Sequence, residues 1–400
     1  MESPSAPDAG ITLLPGGARL NGTAVRIEDS HPAEPPLAAI AGAFALPSPP
    51  EAITPLGSGN VNDTFLVRCQ SGDCFVLQRI NTAVFRQPQQ VMANIAALAD
   101  HAGQRNWPQP EAPRRWELPQ LLPCRQSGRP WLERGDEVWR LLTYVDGSIS
   151  HDTVQSPEQA AEVGRALGGF HRLIHDLPCE RLHDTLQGFH VTPGYLAAYD
   201  RLRAEQQPVA TDSLRGADEA HCHTFIAARR RLAGTLERAR ERGLLQLRPI
   251  HGDPKVNNVL FDRASGRAVA LVDLDTVKPG LVHYDIGDCL RSGCNPAGEE
   301  TTDLETVQFD LQLARPMLQG YLELAGPFLS DADLDHIPVA AQLISFELGL
   351  RFFSDHLAGN RYFKCRHPHH NLDRALVQFR LTASIEQQLE PLRQLVTELR

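Results

Sequence analysis

The spacing of apolar residues changes once along this chain, near residue 146, and that change limits the fold to two unlike parts. Before it, strand-like runs dominate: "AITPLGSGNVNDTFLVRC" and "CFVLQRI" flank the turn signal "QSGD" and read as a hairpin. "LPQLLPC", "PWLE" and "EVWRLLTYV" read as further strands, with "RQSG" and "RGD" as turns. One helix interrupts them. "QPQQVMANIAALADHAG" carries Val91, Ile95 and Leu98 on one side, Pro88 near its start and Gly103 at its end. After "DGS" (146–148) the period becomes helical. "SPEQAAEVGRALGGFHRLIHDLP" opens on a Ser cap with Pro in the first turn, and Leu167, Phe170, Leu173 and Ile174 form its apolar stripe. One charged helix is predicted over "ADEAHCHTFIAARRRLAGTLERARERG", with others near 302–326, 332–358 and 371–399. A single β-like island, "PIHGDPKVNNVLFDRASGRAVALVDLDTV" (249–277), lies among them. The expected architecture is α+β in two lobes: residues 1–50 an extension with a short helix, 51–145 a small β-rich N-lobe of antiparallel sheet plus one helix, and 146–400 a larger, mostly helical C-lobe.

Composition removes several function classes. The 400 residues are 42% apolar and 22% charged, ordinary for a globular protein. With 39 basic against 49 acidic residues the net charge is −10, so no nucleic-acid partner is expected. No run of 18 apolar residues occurs, and "MESPSAPDAG" lacks the basic start and apolar stretch of a signal peptide. The eight cysteines form no CxxC pair and read as free thiols. Together these point to a cytoplasmic enzyme with no membrane partner.

The chemistry concentrates in the island. Asp253 and Asn258 stand five apart before one strand, and Asp273 ends the next. "DRASGR" supplies a turn, so the two strands form a hairpin and all three side chains return to one end. Carboxylate and carboxamide oxygens are hard ligands, suited to Mg²⁺ and poor for Zn²⁺. Two of them can hold a metal with positions left for phosphate oxygens, while the third accepts the proton of an attacking hydroxyl. This is the division of labour of phosphoryl transfer, with Asp253 as base and Asn258 and Asp273 on Mg²⁺. His251 is expected to buttress the loop. An acidic chain can bind ATP, because the metal and a few local cations carry that interaction. In the β-rich lobe, Gly57, Ser58 and Gly59 of "LGSGNVNDT" let backbone amides approach phosphates. The strand "CFVLQRI" has no lysine. Gln78 or Arg79 stands in that place, and alternation allows only one of them to face the nucleotide. Tyr144, in the connecting strand "LLTYVDG", is placed beside the base.

"HGDPKVNNVLFD" followed by "VALVDLDTVKPGLVHYDIGDCLRSG" resembles the aminoglycoside phosphotransferase-like kinases, and more narrowly the bacterial N-acetylhexosamine 1-kinases. "GSGNVNDTFLV", "FVLQRINTAVF", "VMANI" and "LGLRFFSDHLAGNRYFKCRHPHHNLDRALVQFRL" carry the resemblance from about residue 55 to the C-terminus. It implies a two-lobed protein-kinase-like fold, ATP and Mg²⁺, and phosphorylation of the anomeric hydroxyl of a free N-acetylhexosamine. On this resemblance Arg351, Asp355 and Tyr362 face the sugar, and Arg291 meets substrate or phosphate. Gly252 in "HGD" fits the broader phosphotransferase pattern. Ala93 stands where relatives often carry an acidic residue, so a lysine–glutamate ion pair is not expected. The C-terminal segment "RYFKCRHPHH" is basic, which argues against a polycationic acceptor.

Other features read more plainly. "HCH" (221–223) lies on a charged helix where i and i+2 do not face each other, and neither it nor "HPHH" (367–370) is expected to bind metal. Asp285 and Asp288 of "YDIGD" are expected to brace the loop after the hairpin. The alternative functions are a kinase for another small alcohol, of the homoserine, choline or aminoglycoside type, and a catalytically silent nucleotide-binding module.

Overall fold

The computed structural model describes residues 37–57, 61–105, 114–205 and 215–400. Elements in chain order are α1 (Leu37–Gly42), β1 (Pro50–Pro55), β2 (Asp63–Cys69), β3 (Cys74–Ile80), α2 (Pro88–Gln104), β4 (Leu132–Arg134), β5 (Glu137–Thr143) and β6 (Ser148–Ile149). Helices α3 (Pro157–Ile174), α4 (Thr192–Glu205), α5 (Gly216–Arg229) and α6 (Thr235–Glu241) follow. Next come β7 (Arg248–Ile250), β8 (Val259–Asp262), β9 (Ala268–Leu271) and β10 (Lys278–Gly280). The chain closes with α7 (Val282–Gly293), α8 (Leu311–Ala325), α9 (Asp331–Leu357), α10 (His370–Gln387) and α11 (Leu389–Glu398).

The small lobe is an antiparallel sheet of order β1-β2-β3-β5-β4. One face packs Val67, Leu77, Trp139 and Leu141 against Ile40, Ala41 and Phe44 of the α1 region. The short helix and the residues after it are therefore part of this lobe, not an appendage, because they cover apolar strand positions. The segment "LPQLLPC" makes only isolated bridges, Leu121 to Leu142 and Cys124 to Phe44. Its prolines cannot donate to a ladder.

Ser156 caps α3 as expected, its side chain accepting the Gln159 N–H. The α3 stripe joins the main core with α8, α7 and β9. The predicted charged helix is broken into α5 and α6 around Gly234, and the last helix into α10 and α11 at Gln388. Two helices escape the sequence pattern. Helix α4 has no wide apolar stripe, with Leu196 and Tyr199 its main buried apolar side chains. Helix α7 is buried on its polar side as well as its apolar one, and it carries Asp285 and Asp288. Among the described residues no helix is long and apolar enough to cross a membrane, and all eight cysteines are free.

Helices α3 and α8 approach so closely that a Cβ at Gly164 would lie 1.9 Å from the Met317 carbonyl oxygen, and one at Gly320 2.2 Å from that of Ala161. Gly164→Ala is expected to lower unfolding free energy by about 1–3 kcal/mol. Gly103→Ala, in open space on α2, is expected to raise it by about 0.4–1 kcal/mol. Denaturant unfolding of both variants checks the contrast, and equal stabilities would refute this packing.

Candidate active site

The loop expected to be catalytic leaves β7 at His251. Gly252 holds φ +89°, and a Cβ there would meet the Thr276 carbonyl oxygen at 2.6 Å, so only glycine fits. The buried carboxylate of Asp285 accepts the His251 N–H at 2.7 Å, the Gly252 N–H at 2.8 Å and His171 Nε2 at 2.8 Å. Burial alone would raise the Asp285 pKa; these partners, His171 first, hold it low. The His251 ring is fully buried. Its Nε2 lies 3.0 Å from the Val272 carbonyl and its Nδ1 accepts the Asp253 N–H at 3.2 Å. Burial lowers its pKa, so it is neutral with the proton on Nε2. Both residues thus buttress this loop; Asp285 braces the loop before the hairpin, not the one after it as expected. His190, at φ 65°, adds a contact from Nε2 to the Gly252 carbonyl at 2.7 Å and from Nδ1 to Glu347 at 2.9 Å.

The hairpin forms as expected. β8 pairs antiparallel with β9, and Asp262 Oδ1 accepts the Ser265 N–H and hydroxyl in the turn. The Val272 N–H bonds to the Asn258 carbonyl at 2.9 Å and closes the far end. Asp273 follows at once, in left-handed backbone with φ 66° and ψ 57°. That conformation is costly for a non-glycine residue and turns the chain out of the strand. Asn258 Nδ2 donates to the Asp253 carbonyl at 2.7 Å and to Asp253 Oδ2 at 3.2 Å, which leaves its Oδ1 to accept elsewhere. Asp253, Asn258 and Asp273 therefore gather at one edge of the hairpin.

Lys255 completes this edge, with Nζ 2.6 Å from Asp253 Oδ2. The Asp253 carboxyl is held below its ordinary range: burial opposes ionisation and Lys255 outweighs it. Asp273 is pushed the other way, by enclosure in the surrounding protein and by the Asp275 and Asp253 carboxylates, although its side chain opens onto water. Its carboxylate has no hydrogen-bond partner among the described residues. An unneutralised carboxylate beside a carboxamide oxygen is a donor set that fits a hard divalent cation such as Mg²⁺. Lys255 was not singled out from the sequence. The signal was its place two residues after Asp253 in extended chain, which puts both side chains on one side.

On the N-lobe side, Gly57 has φ +71°, as a tight turn requires, while Ser58 and Gly59 lie outside the described residues. The choice between Gln78 and Arg79 is resolved by strand alternation. Arg79 shares its face of β3 with Leu77, stacks over Trp139, and pairs with Asp63 at 2.7 Å and Glu137 at 2.5 Å. It points away from the hairpin, so a nucleotide-binding role for Arg79 is corrected. Gln78 faces the other way, and its Oε1 accepts from Arg140 Nε at 2.9 Å and Nη2 at 2.7 Å. Arg140 lies opposite Gln78 on β5 and pairs with Asp275. No sequence signal marks Arg140, because it lies on the strand next to the one where a lysine is expected. Helix α2 docks without an acidic residue: Asn94 donates to the Val277 carbonyl at 2.8 Å and the His183 carbonyl at 2.9 Å. Tyr144 directly follows β5 and is half-buried.

Among the residues expected to face the acceptor, the Arg351 guanidinium lies 5.0 Å from the Phe189 ring centre, 5.2 Å from Tyr195 and 5.5 Å from Phe363. Burial disfavours its charge, but Tyr195, Tyr362, Glu347 and Asp253 together hold its pKa above the ordinary value. Tyr362 is 47% exposed and packs edge-on against Phe363 at 4.8 Å. Asp355 does not face an acceptor. Its oxygens accept the N–H groups of Arg361 at 2.8 Å, Tyr362 at 2.9 Å and Phe363 at 3.0 Å, and Asn371 Nδ2 at 2.9 Å. With both oxygens filled it clamps the loop that carries Tyr362. Arg291 is likewise committed, its buried guanidinium held by Asp288 at 2.7 Å and Glu299 at 3.2 Å. It acts on Asp253 through space, not by touching an acceptor. Tyr195 and Phe189 were not foreseen, because α4 carries no motif.

Solved structures share this fold. A microcompartment-associated aminopropanol kinase aligns with a TM-score of 0.58 and 16% identity over 89% of this chain and 97% of its own. An amicoumacin kinase in complex with AMP-PNP, Ca²⁺ and amicoumacin aligns at 0.56 and 14%, covering 89% and 92%. An aminoglycoside phosphotransferase from Alicyclobacillus acidocaldarius aligns at 0.58 and 16%, covering 88% and 96%. At these identities the likeness is one of fold, and the fold is protein-kinase-like. The family model of the phosphotransferase enzyme family matches residues 52–319, a span that includes the catalytic loop, the hairpin and the cation-bearing sheet. The chain belongs to this family of phosphotransferases, which act on hydroxyl groups of small molecules.

Proposed function

We propose that the protein transfers the γ-phosphoryl group of ATP to a hydroxyl of a sugar, the anomeric hydroxyl of an N-acetylhexosamine such as N-acetylglucosamine or N-acetylgalactosamine. Asp253 accepts a hydrogen bond from the attacking hydroxyl and takes its proton as the new oxygen–phosphorus bond forms and the bond from the γ-phosphorus to the bridging oxygen breaks, releasing ADP. Lys255 keeps Asp253 ionised and brings positive charge to the side from which the phosphoryl group arrives. Asn258 Oδ1 and Asp273 would hold Mg²⁺, which neutralises charge on the phosphate oxygens. Gly57 and its neighbours would cover the phosphates, and Tyr144 would lie beside the base.

The observation that carries the acceptor assignment is the state of the carboxylates beside Arg351. An amino acceptor needs a spare carboxylate. Glu347 is taken up by His190 at 2.9 Å and Thr192 at 2.6 Å, and Asp355 is filled by its own loop. What faces the acceptor side is a guanidinium between aromatic rings, with Tyr362 at its rim. Aromatic faces and hydrogen-bond donors suit a neutral, polyhydroxylated ring with an acetamido carbonyl.

A coupled ADP assay over hexoses, N-acetylhexosamines, amino alcohols and aminoglycosides tests the reading. Mg²⁺-dependent ADP release is expected with N-acetylhexosamines, and Asp253→Asn is expected to lower kcat by roughly 10²–10⁴-fold. Turnover confined to amino alcohols would replace the sugar by that class. Nucleotide binding with no turnover on any acceptor would make the protein a silent module. Asp355→Asn is expected to raise KM for the acceptor while leaving kcat within about twofold, because it loosens a positioning loop. A matching fall in kcat would mean that Asp355 contacts the reacting groups. MgADP is expected to raise Tm of the unaltered protein and to lose its metal-dependent part in Asp273→Asn. An undiminished shift would remove Asp273 from the metal.

A further inference from the structure

We infer that Arg140 is the N-lobe cation that contacts the nucleotide phosphates, having moved from β3 to the neighbouring strand β5, with Gln78 as its holder. This rests on the nucleotide half of the proposed function and not on the identity of the acceptor. Three observations carry it. The first is position. Gln78 stands where a phosphate-binding lysine is expected on β3, and Arg140 is its direct partner in the antiparallel register. Directly opposed side chains on one face of a sheet have Cβ atoms about 4.5–5.5 Å apart. A guanidinium on β5 thus reaches the region that a β3 ammonium would serve.

The second observation is how the side chain is held. Arg140 is 1% exposed. Nε and Nη2 are fixed by Gln78 Oε1, and Nη2 also pairs with Asp275. Asp275 is two residues beyond the metal-side Asp273, and its other oxygen accepts Asn62 Nδ2 at 2.7 Å. Asn62 lies just past the glycine-rich turn and accepts the Asn81 N–H at 3.0 Å. The guanidinium is therefore anchored directly at two points, β3 and the segment after the hairpin, and through Asp275 it is linked to Asn62 beside the glycine-rich turn.

The third observation is what is left over. Arg140 Nη1 is buried and has no hydrogen-bond partner among the described residues. A buried donor left unmade is costly, and such groups in native proteins mark a role or a missing partner. The Arg140 charge is felt at Asp273, where it counters the neighbouring carboxylates. A phosphate oxygen shared with the metal at Asp273 would supply the partner that Nη1 lacks. The Arg140–Asp275 pair also takes over the bracing done in protein kinases by a β3 lysine and a helix glutamate. That explains why α2 can carry Ala93 and dock through Asn94 instead.

Calorimetric binding of ATP, ADP, AMP and adenosine, each with Mg²⁺, tests this on the full chain. Arg140→Met leaves Asp275 without its partner and can misfold, so Arg140→Met with Asp275→Asn, which removes both charges together, is the main variant. Its affinity for ATP and ADP is expected to fall roughly ten- to a hundredfold while adenosine binding stays within about twofold. Adding Gln78→Lys, which returns a cation to β3, is expected to recover at least half of the lost affinity on a logarithmic scale. Equal loss for adenosine and ATP, or unchanged ATP affinity, overturns the assignment. An unaltered chain that binds no ATP at all overturns the nucleotide reading beneath it, and is thereby told apart from a failure of Arg140 alone.

Discussion

The site rests on one buried carboxylate. Asp285 projects from the buried helix α7, and its two oxygens accept two consecutive backbone N–H groups of the loop after β7 and a hydrogen bond from the ring of His171. His171 passes the constraint on to Tyr321, 3.0 Å from its Nδ1. Loop, α7, α3 and α8 are thereby locked into one unit, and the glycine contacts between α3 and α8 keep that unit tight. Hydrogen bonds to a buried ionised acceptor are among the strong ones, and removing such an acceptor leaves its donors unsatisfied in a dry interior. Asp285 is thus a positioning residue for Asp253, although it touches no reactant.

Around that frame the molecule sets three aspartates against four cations. Asp253, Asp273 and Asp275 lie close enough for their charges to interact, while Lys255, Arg140, Arg291 and Arg351 approach from four different elements. Lys255 is spent on Asp253 itself, whereas Arg140 is also tied to the Gln78 carboxamide, Arg291 to Asp288 and Glu299, and Arg351 to aromatic faces. Asp273 is the carboxylate left least compensated, and it stands where a divalent ion would complete the balance. A preorganised charge distribution of this kind suits phosphoryl transfer, in which the protein supplies position and field rather than covalent chemistry.

The aspartates and the amide of this site were legible because motif spacing is a local property. Asp253 and Asn258 are joined by a short loop, and Asp273 by a turn that the residues "DRASGR" announce. The cations were less so. Arg79 and Gln78 differ only in strand face, and the face is decided by which side α1 covers. Arg140 meets Asp275 across 135 residues of chain, and no spacing rule reaches that far. Asp355 looked like a sugar ligand by its place after Arg351, yet it turns back to cap its own loop. A carboxylate near three free N–H groups satisfies them before it meets any ligand.

By itself the sequence determined the division into a sheet-rich and a helical part, the hairpin of β8 and β9, and the hard-oxygen character of the edge proposed to hold a metal. Those follow from periodicity, turn chemistry and residue type, which act over a few residues. Only the tertiary structure decided which arginine turns inward, that Glu347 and Asp355 near Arg351 are already spent, and that a helix follows β10 and carries Asp285. These depend on burial and on pairing between distant segments, where the cost of leaving a charge or a donor unpaired chooses among partners that look alike along the chain.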